Sequence, residues 1–345
     1  MFTVALRAVH NDTAEFRLAL STANMDYYRS LLRILYISLL ATSRDSEQNS
    51  EFAFFVLSIL DLVVAKGFKD LVQAAHQHRD RANPQDIALI TGILQAALRL
   101  KGIDHHRLAD HLQDSQTIRS ATTLFSWAEN LAEGTENPDD PMYGELSVLF
   151  LLELSSVPVI AEQLAIENIL ERITSTTLAA RIARTGVVPM THPRLHSIWA
   201  RGLLPLALNL LANMGTRYGR EILAFLRFFR PQILTAILGW KKPTAVVLPA
   251  VNEMVGIGMM LALVAKMGGK QELAAFGIDT TVAVEGVDYL LTHRNYLKSL
   301  VTATSAVEEE MLREKPGDDG EVELVERVVN GLITIQGLLQ DDGEE

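Results

Sequence analysis

Apolar residues recur at intervals of three and four along nearly the whole chain, and runs that alternate apolar with polar residues are scarce. That spacing draws one apolar stripe along each helix and denies a sheet the two-residue repeat it needs. Over 24–43, Tyr28, Leu31, Leu32, Leu35 and Leu39 make such a stripe, with Arg29, Ser30 and Arg33 off it and Asn24 placed as a cap. The spacing predicts further helices over 51–66, 67–79, 84–101, 104–113 and 115–133, with Asn83 capping and Pro84 in a first turn. More apolar helices follow over 142–154, 158–173, 176–185, 193–214, 217–239, 243–267, 271–294, 295–313 and 321–340.

Prolines at 84, 158, 193 and 243 read as helix starts, whereas Pro205, Pro231 and Pro249 fall inside apolar runs and predict kinks or breaks. Residues 134–141, Gly-Thr-Glu-Asn-Pro-Asp-Asp-Pro, predict an exposed loop and the place for a sub-boundary. Strand signals are thin, resting on pieces such as Val246-Val247-Leu248 and Thr281 to Val284. About fifteen helices joined by short loops point to an all-α solenoid or superhelix. No tetratricopeptide or ankyrin consensus recurs, so degenerate HEAT- or armadillo-like pairs of roughly 40 residues fit best.

Composition removes several function classes. The chain has 345 residues, 48% of them hydrophobic and 21% charged, which predicts a large packed core rather than disorder. Cysteine is absent, so disulfides, a thiolate metal site and a cysteine nucleophile are excluded, and the balance leans intracellular. The first residues, Met1 to Arg7, lack the pattern of a secretory signal and enter almost directly into a helix, as a domain excised from something longer would. Residues 245–265 reach a membrane-spanning length but carry Pro249, Asn252, Glu253, Gly256 and Gly258. An acid at mid-span costs roughly 2.5–3.5 kcal/mol on insertion scales, so a core helix and no transmembrane segment are expected.

A net charge of −11 speaks against direct nucleic-acid binding by the whole chain. The average hides an asymmetry. Residues 172–242 hold eleven basic residues against Glu221 alone, a net +10, and residues 308–345 carry a net −10. These arginines either snorkel over an apolar surface or form a face for an acidic partner, external or the chain's own end. The last five residues, 341–345, are expected to be a disordered acidic tail.

Catalytic and cofactor motifs fail one by one. His105, His106 and His111 share a segment with Asp104, Asp110 and Asp114, but the His-Glu-x-x-His pattern and a complementary ligand pair are missing, so a solvated helix face is expected. His76 and His78 point to different sides of a helix. There is no phosphate-binding Gly-rich loop, Gly256 and Gly258 lack a third glycine and a preceding strand, and no Gly-x-Ser-x-Gly elbow occurs. Neither an enzyme activity nor a cofactor is expected.

What remains is surface. Phe225, Phe228 and Phe229 stand at i, i+3 and i+4, bordered by Arg227 and Arg230. Such a stripe packs in a core, or it forms a groove that takes apolar anchors from a partner helix within a ring of arginine.

Three stretches carry a family resemblance: Tyr143 to Leu154, Ile198 to Leu211 and Leu248 to Met254. Together they resemble the C-terminal part of the large scaffold nucleoporins of the nuclear pore inner ring, fungal members above all. The resemblance covers most of 143–294, extends less sharply to the N-terminal helices, and brings no catalytic residues. It implies a single fragment, 1–345, of a longer right-handed, karyopherin-like α-solenoid located at the nuclear pore complex of the nuclear envelope. It further implies a scaffold role that supports nucleocytoplasmic transport, with other inner-ring nucleoporins as partners through short helical motifs. The alternative it implies is a transport-receptor-like module that binds phenylalanine-glycine repeat nucleoporins through pockets between helices.

Overall fold

In the computed structural model the described residues are 25–42, 50–77, 83–132, 140–313 and 322–340. The Asn24 cap, most of the 134–141 loop and the acidic end 341–345 lie outside them. The chain groups into two compact units, Met1–Ile169 and Leu170–Glu345. Helices dominate both, as the three-and-four spacing requires, and strand-type pairing among the described residues is confined to a parallel bridge between Val246 and Val301.

The N-terminal unit contains α1 (Met25–Thr42), α2 (Ser50–Ile59), α3 (Gly67–Gln77), α4 (Pro84–Leu98), α5 (His105–Asp114), α6 (Thr117–Ala132), α7 (Met142–Ser155) and α8 (Pro158–Ile166). A π-helical segment, Leu60–Lys66, joins α2 to α3. Helices pack on neighbours and on helices further along the chain: α1 on α4, α3 on α6, α4 on α7. This is how a stacked array buries helices that are apolar on more than one side. At the contact between α3 and α7, Phe68 and Phe150 stack with centroids 4.0 Å apart.

One buried ion pair ties α1 to α4. Asp86 is fully buried, and Arg29 donates to both its oxygens, Nε to Oδ1 at 2.7 Å and Nη2 to Oδ2 at 3.1 Å. Asp86 also closes the capping box of α4 by accepting from the Asn83 amide, while the Asn83 side chain accepts from Gln85. The Asp86 hydrogen bond raises the Arg29 pKa above its ordinary value, against the opposing effect of burial. Arg29→Ala leaves a buried carboxylate with little compensation, and should cost about 2 kcal/mol in chemical denaturation. A loss no larger than that of an exposed Arg33→Ala control would remove this pair from the stabilising contacts.

The C-terminal unit contains α9 (Ile169–Thr174), whose first residue closes the preceding unit, α10 (Thr177–Thr185), α11 (Pro193–Ser197), α12 (Leu204–Met214), α13 (Gly219–Phe228), α14 (Arg230–Leu238), α15 (Leu248–Val264), α16 (Lys270–Ala275), α17 (Thr281–Thr292), α18 (Arg294–Leu300), α19 (Ala306–Arg313) and α20 (Glu323–Gln340). Helix α15 packs on α12, α14 and α20, and α20 also covers α17.

Several expected helices are divided, each with a local cause. Residues 158–173 break at Asn168, whose φ of +53° takes the backbone out of the helical region. Pro205 is accommodated by a π-helical segment, Ile198–Leu203, immediately before α12, which relieves the clash a proline ring makes with the preceding turn. Pro231 marks the break at Phe229 between α13 and α14. Pro249 causes no kink because it sits in the first turn of α15, where its missing N–H is harmless. The helix expected from Pro243 starts at Leu248 instead, because Val246 pairs with the backbone at 300–302: its N–H donates to Leu300 at 2.8 Å and its carbonyl accepts from Thr302 at 3.0 Å.

Candidate functional site

The aromatic stripe divides between core and surface. Phe225 and Phe229 are buried, with ring centroids 6.0 Å and 4.8 Å from buried Trp199, and their own rings lie 4.8 Å apart. A groove needs open faces, and these two are filled by Trp199, so the expected groove is corrected: Phe225 and Phe229 are core anchors. Phe228 is only partly buried and meets Phe229 edge-on at 4.9 Å. Arg227 and Arg230 are exposed and both engage Phe276: the Arg227 guanidinium lies 5.2 Å from its ring centroid, and Arg230 Nε donates to its carbonyl.

The histidine-rich segment serves as local structure. Asp104 caps α5 by accepting from the amides of His106 and Arg107, and His111 faces Asp61 at 3.4 Å. His76 stacks on Trp127, with centroids 3.9 Å apart. Among the described residues no group of three or more metal-ligating side chains is placed to hold an ion.

The organised polar site of the C-terminal unit lies on α15. Glu253 is buried, and three buried side chains bond to it: Trp199 Nε1 donates to Oε1 at 2.7 Å, Gln232 Nε2 donates to Oε1 at 2.9 Å, and His196 Nε2 lies 2.9 Å from Oε2. With Trp199 and Gln232 on Oε1 and His196 on Oε2, both oxygens of the buried carboxyl are engaged. Gln232 extends the network to the backbone of Val187, whose amide donates to Oε1 at 2.6 Å and whose carbonyl accepts from Nε2 at 2.8 Å. Side chains from three segments therefore meet at one carboxyl group, and the backbone at Val187 is tied in through Gln232. The same network explains why a stretch long and apolar enough to span a membrane, Leu248–Ala275, carries an acid: its buried face belongs to a protein core.

Beside the network opens a cleft of about 280 Å³. Val187, Val188, Met190, Trp240, Val246 and Val247 give it apolar walls; Glu253 and the exposed Lys242 add charge to its lining. Its wall at 187–190 is set by Gly186, the C-cap of α10, which has a φ of +64°. A Cβ there would come within 2.8 Å of Thr235 Oγ1. Val188 and Met190 remain 37% and 58% exposed, so the cleft carries apolar surface at its mouth. The sequence signal for this site was Glu253 itself, an acid in an otherwise apolar run. Its partners, 21 to 57 residues away, gave no signal.

The family model for the nuclear pore protein NUP188 C-terminal domain matches residues 1–339. The chain belongs to the NUP188 C-terminal domain family. Nucleoporin NUP188 of Chaetomium thermophilum is 35% identical over 257 residues, which is 64% of this chain and 14% of that protein. Nucleoporin NUP188 of Saccharomyces cerevisiae is 23% identical over 356 residues, 92% of this chain and 21% of that protein. The chain thus spans between about a seventh and a fifth of the length of these curated relatives. A solved Nup188 fragment from Myceliophthora thermophila is similar in fold, with a TM-score of 0.76, 30% identity, and coverage of 94% of this chain and 97% of that one. The expected all-α, solenoid-type fold is therefore that of the NUP188 family, and the nucleoporin relatives place the family at the nuclear pore.

Proposed function

We propose that this chain is a non-enzymatic scaffold segment of the nuclear pore inner ring that docks a short helical segment of a neighbouring nucleoporin in the cleft beside Glu253. The observation that supports this reading is the cleft's construction. Apolar walls with exposed edges at Val188 and Met190 suit one or two apolar anchors of an amphipathic helix. The hydrogen-bonded floor around Glu253 fixes those walls before any partner arrives, which lowers the ordering cost of binding.

Val188→Glu combined with Met190→Glu places charges at the mouth without touching the core. Titrated against helical peptides from neighbouring inner-ring nucleoporins, this variant should bind at least about tenfold more weakly, a loss of roughly 1.4 kcal/mol, with an unchanged melting curve. Unchanged affinity for every peptide would reject the cleft as the docking site. Many weak, exchangeable contacts with phenylalanine-glycine repeats, sensitive to the same variant, would instead assign it to repeat binding.

A further inference from the structure

Burying Phe225 and Phe229 leaves α13 with an outward face of a different character. Arg217, in the 3-10 turn Gly215–Tyr218 that leads into the helix, and Arg220, Ala224 and Arg227 along it are all exposed, at successive spacings of three, four and three. Those spacings keep them on one side of the helix. Arg230, exposed at the start of α14, continues the row. Arg220 and Arg227 are two turns apart, about 10 Å along the axis.

These four guanidiniums have no carboxylate partner among the described residues. Arg227 faces the Phe276 ring and Arg230 the Phe276 carbonyl, both contacts that leave the positive charge uncompensated. The single acid of this stretch, Glu221, is drawn inward: its Oε2 is buried, and its carboxylate is the second cause, after burial, that pushes the neighbouring Tyr218 hydroxyl up to about 12. Among the described residues of the acidic end, Arg313 pairs with Glu309 and Arg327 with Glu323 within their helices.

We propose that this arginine row is a second docking surface, separate from the Glu253 cleft, for an Asp/Glu-rich helical segment of another protein. Charge complementarity favours that occupant. Guanidiniums bind carboxylates in a two-pronged geometry, and acids spaced at i, i+3 or i+4, and i+7 on a partner helix match the spacing of the row. A nucleic acid is disfavoured because the row is one helix face wide and the chain as a whole carries a net charge of −11, which repels a long polyanion. A membrane surface is disfavoured because the row presents Ala224 and no large exposed apolar side chain between its cations.

The test uses the full chain and a labelled synthetic helix bearing Glu at alternating three- and four-residue spacings, read by fluorescence anisotropy. Arg217→Gln with Arg220→Gln alters only residues outside the Phe276 contacts, so the melting curve should not move. Binding should weaken by about tenfold in low salt, and the difference should shrink as ionic strength rises through a Debye length of roughly 8 Å and below. Arg217→Lys with Arg220→Lys should recover only part of the affinity, because charge is restored without the planar fork. Equal affinity of the wild type and the glutamine variant would overturn the proposal. Tighter, arginine-dependent binding of a single-stranded oligonucleotide or of phosphatidylserine vesicles would overturn it in favour of those ligands. Markedly stronger peptide binding after removal of residues 341–345 would make the chain's own acidic end the occupant.

Discussion

Replacing Glu253 with alanine lowers the stability of the C-terminal unit by about 3–5 kcal/mol, the lower part of what three buried polar groups left unsatisfied at roughly 1–3 kcal/mol each would cost. Three buried groups, Trp199 Nε1, Gln232 Nε2 and His196 Nε2, lose their shared partner together, and the truncation adds a cavity between α15 and the segments around it. Glu253→Gln separates the two effects. It keeps the volume and one carbonyl acceptor but turns an NH₂ group toward donors, so its loss should fall between wild type and alanine. Urea denaturation followed by tryptophan fluorescence reads both, because Trp199 reports on the site directly. Since Gln232 also holds the backbone of Val187, both variants should weaken helix docking in the cleft. An alanine variant as stable as wild type would mean that the network orders the site without stabilising it.

Gly286→Ala is the second large effect. Helix α17 approaches the turn after α14 so closely that a Cβ at 286 would lie 2.0 Å from the Trp240 carbonyl oxygen. The obstacle is backbone, which cannot rotate aside as a side chain can, so α17 or the Trp240 turn must shift. A cost of about 3 kcal/mol is expected, the upper part of the usual range for overpacking. Gly331→Ala tests the reasoning, because there the Cβ meets Val251 Cγ1 at 2.3 Å and a side chain can give way. Its cost should be smaller. Gly337→Ala is the control: nothing lies within 4 Å and the helical alanine should gain up to about 1 kcal/mol. The order Gly286, Gly331, Gly337 in melting temperature loss is the result to check. Because Trp240 walls the cleft, Gly286→Ala should also weaken partner binding.

The two sites were legible to different degrees. The basic stretch 172–242 was visible as a run of bases with a single acid, and Phe225, Phe228 and Phe229 as an aromatic stripe within it. Spacing alone left open whether the rings or the guanidiniums formed the outer surface, because a stripe of phenylalanines reads the same whether a core or a partner covers it. The position of Trp199 settles this: it fills the space against Phe225 and Phe229 and leaves the arginines outside. The cleft was hidden for a different reason. Its polar floor joins residues 187, 196, 199, 232 and 253, and hydrogen bonds over such separations follow from the way helices stack, which no local pattern encodes.

By itself, the sequence determined that this chain is helical, where most helices lie, that prolines at 205 and 231 interrupt regular winding, and that +10 and −10 regions coexist in one chain. Those features are local, set by side-chain spacing, ring constraints and charge counts over a few turns. Only the tertiary structure decided that the chain groups into two compact units divided after Ile169, that Glu253 serves as a shared acceptor instead of a membrane-span anomaly, and that the arginines of α13 face outward with no carboxylate partner among the described residues. The physical reason is that burial and pairing depend on which distant helix closes over a given face, and that choice minimises the free energy of the whole packed unit rather than of any single helix.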